Sequence, residues 1–402
     1  MMKDEWETVA LGDLVEPAKT WNPTRSPSDE VFDYIDLSAV DQDAKLITGA
    51  REVSCGEAPS RARQLVARGD VLVSTVRPNL NGVARVPDQL DGATASTGFC
   101  VLRARESKFD GGYLFHWVKS PAFVADMVNK ATGASYPAVS DRIIFDARIP
   151  LPPLAEQRRI AEVLDREEAL RAKRRAALAQ LDSLTQSLFL DLFGDPARNT
   201  KRLPTISLGN LGGWSSGGTP PRSREDYFDG SIPWFSSGEL NTMFVHESEE
   251  HVSTEALHET TEKAVPEGAL MLGMYDTTAL KASIAGVECS CNQAIAFATI
   301  DPALAETVFV YFAIAIGREH FRRLQRGVRQ KHLNLSMVRE ISIPRPSLKQ
   351  QQEFARHVTA IEKVKVSHRA SLGELDALFT SLQHRAFRGE LIIQDSPHKK
   401  SS

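Results

Sequence analysis

Cysteine is scarce, and the four present, Cys55, Cys100, Cys289 and Cys291, form no CxxC pair and have no histidine-rich cluster beside them. Neither a zinc site nor a disulfide framework arises from such a scatter, so no bound metal is expected. Cys289 and Cys291, two apart in a strand-like stretch, are expected to point the same way off a strand. Long apolar runs are missing too. The longest, around Phe309 to Ile316, falls far short of the roughly 20 residues that span a bilayer. The opening stretch MMKDEWETVALGDL carries acids where a signal peptide would carry bases and then an apolar run. A cytoplasmic protein with no membrane partner is the simplest reading. Positive charge is also in short supply, with a formal net charge of −4. Residues 203–342 carry 17 acids against 11 lysines and arginines, so any nucleic-acid surface must be a local patch.

What the chain has in abundance is itself, twice. Ile149-Pro150-Leu151-Pro152-Pro153-Leu154 returns as Ile343-Pro344-Arg345-Pro346-Ser347-Leu348, and the match runs on without a gap at a constant shift of 194. Gln157 falls on Gln351, Leu181-Asp182 on Leu375-Asp376, and Phe193 on Phe387. Two unrelated helices might share apolar spacing, but not the proline lead-in, the glutamine and the Leu-Asp pair as well. Val9-Ala10-Leu11-Gly12-Asp13-Leu14 also matches Ile206-Ser207-Leu208-Gly209-Asn210-Leu211, which extends the duplication into the flanking globular parts. The repeated unit is a globular domain followed by a long helix. A duplicated binder presents two related surfaces and should read something bipartite.

Residues 1–150 read as mixed α/β: strands at Val31–Leu37 and Val71–Val76, turns at Gly69-Asp70 and Asn79–Gly82, and one amphipathic helix over Tyr113–Asn129. Residues 203–342 repeat the order, with strands near Ala269–Met274 and Ala294–Thr299 and a helix over Glu306–Leu324. The long helices start after Pro152-Pro153 and Pro346 and stop at Gly194-Asp195-Pro196 and Arg388-Gly389. Their heptad columns run through Val163, Leu170, Ala177 and Leu184 with Ile160, Leu181 and Leu188, and through Val364 and Leu378 with Phe354, Ile361, Leu375 and Leu382. Glu167, Arg174, His357, His368 and Ser371 interrupt these seams, so each helix needs a partner, and the obvious one is the other copy. Thirty-nine helical residues make a rod of roughly 58 Å. The expected division is 1–150, a central helical segment 151–197, 198–343, a C-terminal helical segment 344–393, and a disordered tail 394–402.

IPLPPLAEQRRIAEVLD and its echo IPRPSLKQQQEFARHV, with WNPTRSPSDEVFDYIDLSAVD, APSRARQLVARGDVLVSTVRPNLNGVARV and SGGTPPRSREDYFDGSIPWFSSGEL, carry a resemblance to one family. Over essentially residues 1–393 the chain resembles the specificity subunit of Type I restriction–modification systems. The resemblance implies an α+β chain of two similar mixed α/β target-recognition domains, each followed by a long helix, with the two helices pairing as an antiparallel coiled coil. It further implies that each domain reads one half of a split double-stranded DNA sequence, and that modification (methyltransferase) subunits, two of them, dock beside the helices. S-adenosylmethionine, ATP and Mg would then belong to the modification and restriction subunits, with no cofactor on this chain. The residues agree: there is no GxxxxGK[ST] phosphate loop, no Asn/Asp-Pro-Pro-Tyr/Phe motif of an amino-methyltransferase, and no nuclease [DE]xK after Pro87-Asp88. The rival readings are the recognition polypeptide of a related fused methyltransferase–nuclease system, and a coiled-coil scaffold without DNA binding. No catalytic residue is expected.

Base readout needs side chains that reach base edges, supported by phosphate contacts. Arg77-Pro78-Asn79-Leu80-Asn81-Gly82 puts Arg77, Asn79 and Asn81 on one turn; the alternative is that both asparagines satisfy local backbone. Ser135 and Tyr136, in Thr132-Gly133-Ala134-Ser135-Tyr136, align with the more basic loop Arg326-Gly327-Val328-Arg329-Gln330. Arg318, Arg322 and Arg326 recur every four residues, with Arg323, Arg329, Gln330 and Lys331 close by and Glu319 the only acid, a pattern suited to phosphate. Thr219 and Arg222 belong to the glycine-rich loop after Ser215, which reads either as a loop near DNA or as a structural turn. Trp234 reads as core. On the first long helix, exposed Arg166, Arg171 and Lys173 are the expected partner contacts.

Overall fold

Prolines set where both long helices begin. In the computed structural model, which describes residues 6–260, 263–325 and 332–391, the first long helix runs Leu154–Phe193 and the second Leu348–Ala386. Each leaves its proline lead-in through one buried glutamine. Gln157 donates from Nε2 to the Pro152 carbonyl (2.8 Å) and the Lys108 carbonyl (3.2 Å), and its Oε1 accepts from the Asp110 amide (2.9 Å). Gln351 donates to the Pro346 carbonyl (2.9 Å) and accepts from the Glu306 amide (3.0 Å). Each glutamine thus ties the start of a long helix to the start of a helix in the preceding domain. Gly194 closes the first long helix in the left-handed region, at φ 74°, where a side chain would be strained and would meet Thr200 and Lys201.

The chain divides into two units, residues 1–174 with 371–402, and residues 175–370. The first long helix gives residues 154–174 to the first unit and 175–193 to the second; the second long helix is shared in the reverse sense.

The first unit holds an antiparallel sheet in the order Val83–Arg85, Val71–Ser74, Phe99–Ala104, Val15–Glu16. The second unit repeats it as Ala282–Ala285, Leu270–Gly273, Ile295–Ala298, Ser215–Ser216, with Phe244–Val245 added parallel to the outer strand. A second sheet repeats as well. Val31–Ile35 lies between antiparallel Arg51–Ser54 and parallel Thr94–Ser96, as Ile232–Phe235 lies between Glu250–Val252 and Ser290–Cys291. In each unit a two-stranded ladder joins the domain's two ends: Thr8–Ala10 with Arg148–Pro150, and Thr205–Ser207 with Ser342–Pro344. The shared strand order makes the duplication structural as well as textual. All four cysteines are buried, Cys289 and Cys291 among them, and burial raises the thiol pKa where a shift is resolved, to about 12 for Cys289.

Two expectations change. The single helix over 113–129 is two, Gly111–Val118 and Pro121–Lys130, because Pro121 cannot continue the first and Ser120 caps the second by accepting from the Phe123 amide. One of the two heptad columns also shifts by one position, while the other, through Ile160 and Phe354, is buried as expected. In the first unit Leu170 and Leu378 are 42% and 45% exposed, and in the second Leu184 and Val364 are 54% and 47% exposed, so these columns face outward. The buried seam keeps Ile160 and Phe354, and adds Leu164 and Phe379 in the first unit and Phe189, Val358 and Lys365 in the second. Ion pairs explain the change: Arg171 meets Asp376 at 2.5 Å in the first unit and Lys365 meets Asp182 at 2.6 Å in the second. Both join the two long helices in antiparallel register within their unit. A seam position filled by a paired arginine or lysine is invisible to a count of apolar residues. Aromatic rings fill the rest, with Phe189 and Phe193 packed on Phe309 and Phe354 in the second unit, and Tyr113 and Trp117 on Phe387 in the first.

Candidate nucleic-acid interface

The strand Val71–Ser74 delivers the first candidate loop. Arg77 departs at φ 50°, ψ 63°, the turn Pro78–Leu80 comes next, and Asn81 closes it at φ 46°. Both are non-glycine residues in the left-handed region; asparagine tolerates it, but for Arg77 it costs on the order of 1–2 kcal/mol and has to be held by the surroundings. It is held. The Arg77 amide donates to the Pro137 carbonyl (2.7 Å), Lys45 Nζ donates to the Asn81 carbonyl (2.6 Å), and Asn81 Nδ2 donates to the Lys119 carbonyl (3.3 Å). The segment carrying Ser135 and Tyr136 is thereby brought beside the turn, and the Arg77 guanidinium stacks 4.8 Å from the centre of the Tyr136 ring. Tyr136 is 69% exposed; Arg77, Asn79 and Ser135 are exposed with it. Four of the candidate residues therefore share one surface: a forked donor, a carboxamide, a hydroxyl and an aromatic face. Asn81 differs, since its amide is turned inward to support the loop.

The second domain's candidates divide differently. Arg222 is an exposed side chain already engaged: it makes a two-point ion pair with Glu250 (2.5 and 2.8 Å) and stacks on Phe228 and Trp234. The Glu250 hydrogen bonds hold the guanidinium pKa up, and the same bonds hold the Glu250 carboxyl below the usual carboxylate range. Thr219 donates to Gln293 Oε1. The glycines beside it are a packing device, because a Cβ on Gly217 would stand 1.9 Å from the Cys291 carbonyl oxygen. Trp234 is core, 4% exposed, with its indole donating to the Gly218 carbonyl. Arg322 pairs with Glu319 at 3.0 Å. Arg326, Arg329, Gln330 and Lys331 lie outside the described residues.

Arg318 is not the free phosphate donor its spacing suggests. Its Nε donates to the Ala279 carbonyl (2.9 Å) and its Nη2 to the Thr277 carbonyl (2.5 Å). It buttresses the loop after Leu270–Gly273, which no sequence motif marks. By strand order Val71–Ser74 falls on Leu270–Gly273 and Val83 on Ala282, a shift of 199, so the shift of 194 that aligns the long helices misaligns this stretch.

On the first long helix, Arg166 and Lys173 are exposed, but Arg171 is not: it is 16% exposed, bound to Asp376 and stacked 4.3 Å over Phe379. The expectation of an exposed Arg171 is corrected by that interhelical pair. His116, Asp165 and Glu168 bring three metal-capable atoms within 4.8 Å of one another. Lys119 Nζ already stands 2.6 Å from Glu168, and His116 Nε2 lies 2.7 Å from Asp165, so the cluster is an ion pair and a hydrogen bond tying the Gly111–Val118 helix and its C-cap to the first long helix.

Against known proteins, a family model described as the Type I restriction modification DNA specificity domain matches residues 3–180 and again 203–372. The chain belongs to this Type I specificity family. It is 28% identical over 137 residues to the Escherichia coli Type I restriction enzyme EcoR124I/EcoR124II specificity subunit, a match covering 31% of this chain and 32% of that one. With the E. coli EcoBI specificity subunit it shares 22% identity over 334 residues, 73% of this chain and 69% of that one. The matched stretch spans about a third of the length of the first of these curated relatives. A solved Type I S subunit from M. genitalium has the same fold, with a TM-score of 0.60, 12% identity, and 98% of each chain covered. A chain from a structural study of assembly and conformational transition of the type I R-M system gives a TM-score of 0.57 at 24% identity, covering 97% of this chain and all of that one. Among the described residues, no helix is long and apolar enough to cross a membrane.

Proposed function

We propose that this chain is a noncatalytic recognition subunit that binds a bipartite double-stranded DNA sequence, one part through each globular domain. The observation that carries the reading is the pairing of Arg77 with Tyr136. It gathers two loops far apart in sequence into one exposed surface of donors and an aromatic face, held by non-glycine left-handed residues. Arginine can take two acceptors on guanine, and asparagine pairs with adenine, in the major groove. The exposed arginines and lysines beside the loops supply phosphate contacts. The long helices dock methyltransferase subunits, two per chain, on the outward-facing Leu170 and Leu378 of the first unit and Leu184 and Val364 of the second, flanked by Arg166 and Lys173. Restriction subunits join that assembly, and S-adenosylmethionine, ATP and Mg are held by the partners.

Selection of duplexes from a randomised pool by the full-length chain, alone and with its modification subunits, tests the reading. Two conserved blocks separated by an unconserved spacer are expected, and Arg77→Ala with Tyr136→Ala should erase preference in one block. Recovery of no sequence preference, or methyl transfer from S-adenosylmethionine by the chain alone, would overturn it.

A further inference from the structure

The second domain carries an unassigned counterpart of the Arg77–Tyr136 surface. The strand Leu270–Gly273 occupies the place of Val71–Ser74 in the repeated sheet, and each strand leads into a three-residue turn, Asp276–Thr278 in one domain and Pro78–Leu80 in the other. Each loop then closes on a non-glycine residue in the left-handed region, Leu280 at φ 56° and Asn81 at φ 46°. Each is pinned to the chain segment that precedes the domain's last short helix: Tyr275 bridges His332 as Val76 bridges Ala138, and the Leu333 amide donates to the Met274 carbonyl (2.8 Å) as the Val139 amide donates to that of Thr75 (2.9 Å). At the surface, where Arg77 stacks on Tyr136, Tyr275 and His332 place their rings edge to face with centroids 5.8 Å apart. Tyr275 is 42% exposed, and Thr277 and His332 are exposed beside it.

We infer that Tyr275, Thr277 and His332 form the base-reading surface of the second domain and that Arg318 is the residue that positions it. This rests on the reading of the chain as a bipartite DNA binder and names the site for the second block. Arg318 reaches from the helix Thr307–Phe321 to cap the carbonyls of Thr277 and Ala279, and burial together with nearby Arg322 lowers its pKa. Thr278 Oγ1 ties the turn to the Tyr275 carbonyl (2.6 Å) and meets Ser237 Oγ (3.0 Å), while Lys281 Nζ anchors the far end on Asn241 Oδ1 (2.6 Å). These bonds leave the exposed face of the loop, with its phenol, hydroxyl and imidazole, turned to solvent. A loop that must present side chains to base edges needs such fixing, because a surface that shifts by an ångström discriminates poorly. The two domains then read by different chemistry. The first offers a guanidinium and a carboxamide, the second hydroxyls and an imidazole on a buttressed turn.

Selection from a randomised duplex pool separates the alternatives. Tyr275→Phe combined with Thr277→Val removes two hydroxyls with little change of shape; it should weaken base preference at least tenfold in one block only. That block should be the one Arg77→Ala leaves intact. Arg318→Ala should weaken the same block without changing the slope of affinity against salt, and Arg318→Gln, which keeps a donor but no charge, should restore part of the preference. Thermal melts of each variant check folding. If wild type selects two blocks and the hydroxyl variant leaves both unchanged, the assignment of this surface fails while the bipartite reading stands. If Arg318→Ala instead lowers the salt slope by about one with both blocks intact, Arg318 is a phosphate contact and its positioning role is overturned. Absence of two blocks in wild type would sink both readings.

Discussion

Arg171 and Asp376 face each other at 2.5 Å between the two long helices, and the shift of 194 that relates the copies carries this pair onto Lys365 and Asp182, which meet at 2.6 Å. One interaction has been kept twice with its partners exchanged between helices. In each copy the basic residue is well buried and the acid is more exposed; Lys365 also pairs with Glu362, whereas removing Asp376 takes the carboxylate from Arg171 in the seam. Asp376→Ala should cost about 1–3 kcal/mol. Melting the single variants Arg171→Ala and Asp376→Ala and the double variant should show strong non-additivity. Additive losses would mean that the pair does not set the register.

His116 gives the first unit a dependence on pH. Burial, aided by the charge of Lys119, lowers the imidazole pKa against the opposing hydrogen bond that Nε2 donates to Asp165, so the ring is neutral near pH 7. Glu168 faces the same network, and the His116 Nδ1 has no hydrogen-bond partner among the described residues. Unfolded, the ring takes a proton at about pH 6.5; folded, it does so only at lower pH. The unfolded state therefore binds more protons in that window, and the histidine's contribution to stability is lost as pH falls from about 6.5 towards the folded value. The equivalent helix position in the second unit is Phe312. His116→Phe should be less stable than wild type at pH 7.5 and gain on it as pH is lowered to 5. A constant difference in melting temperature across that range would refute the assignment.

Gln157 is 1% exposed and makes three hydrogen bonds, all of them to backbone groups at the helix starts it joins. Gln157→Ala should cost about 2–3 kcal/mol, seen as a drop of several degrees in melting temperature. Gln157→Glu, which removes the two donors but keeps the acceptor, should recover little of it. The matching change at Gln351 should destabilise the second unit in the same way.

The outward-facing leucines bear on assembly. Leu170→Glu with Leu378→Glu should weaken co-elution with modification subunits by tenfold or more, and charge reversal at Arg166 and Lys173 should weaken it less. Since all four side chains leave the buried seam undisturbed, the isolated chain should melt as wild type does. Unchanged assembly would remove these faces from the docking surface.

The duplication, the helix starts and the two-domain plan are legible in the sequence because prolines, glycines and the paired glutamines act locally, through φ restriction and backbone capping. Apolar periodicity places one of the two seam columns a position off, since Arg171 and Lys365 look like surface charges until their carboxylate partners on the other helix are known. In the first domain the loops that come together can be read, as Arg77 and Tyr136 lie on loops with recognisable turn chemistry. Tyr275 and Thr277 are not found by the constant shift. Their loop follows strands offset by 199 instead, and only strand order restores the match. Arg318 misleads for a related reason: a basic helical face looks the same whether its donors reach phosphate or a neighbouring carbonyl.

The first unit is built from two stretches of chain distant in sequence, and they share one interior. Tyr113 and Trp117 close on Phe387, His116 lies against Phe379, and Gln383 Nε2 donates to the His116 carbonyl, so the last turns of the second long helix are part of the first domain's core. Exchanging residues 1–150 for those of a relative would set a foreign helix face against these rings. A new first domain therefore demands a matched segment from near the C-terminus, or a face kept so constant that any incoming domain fits it.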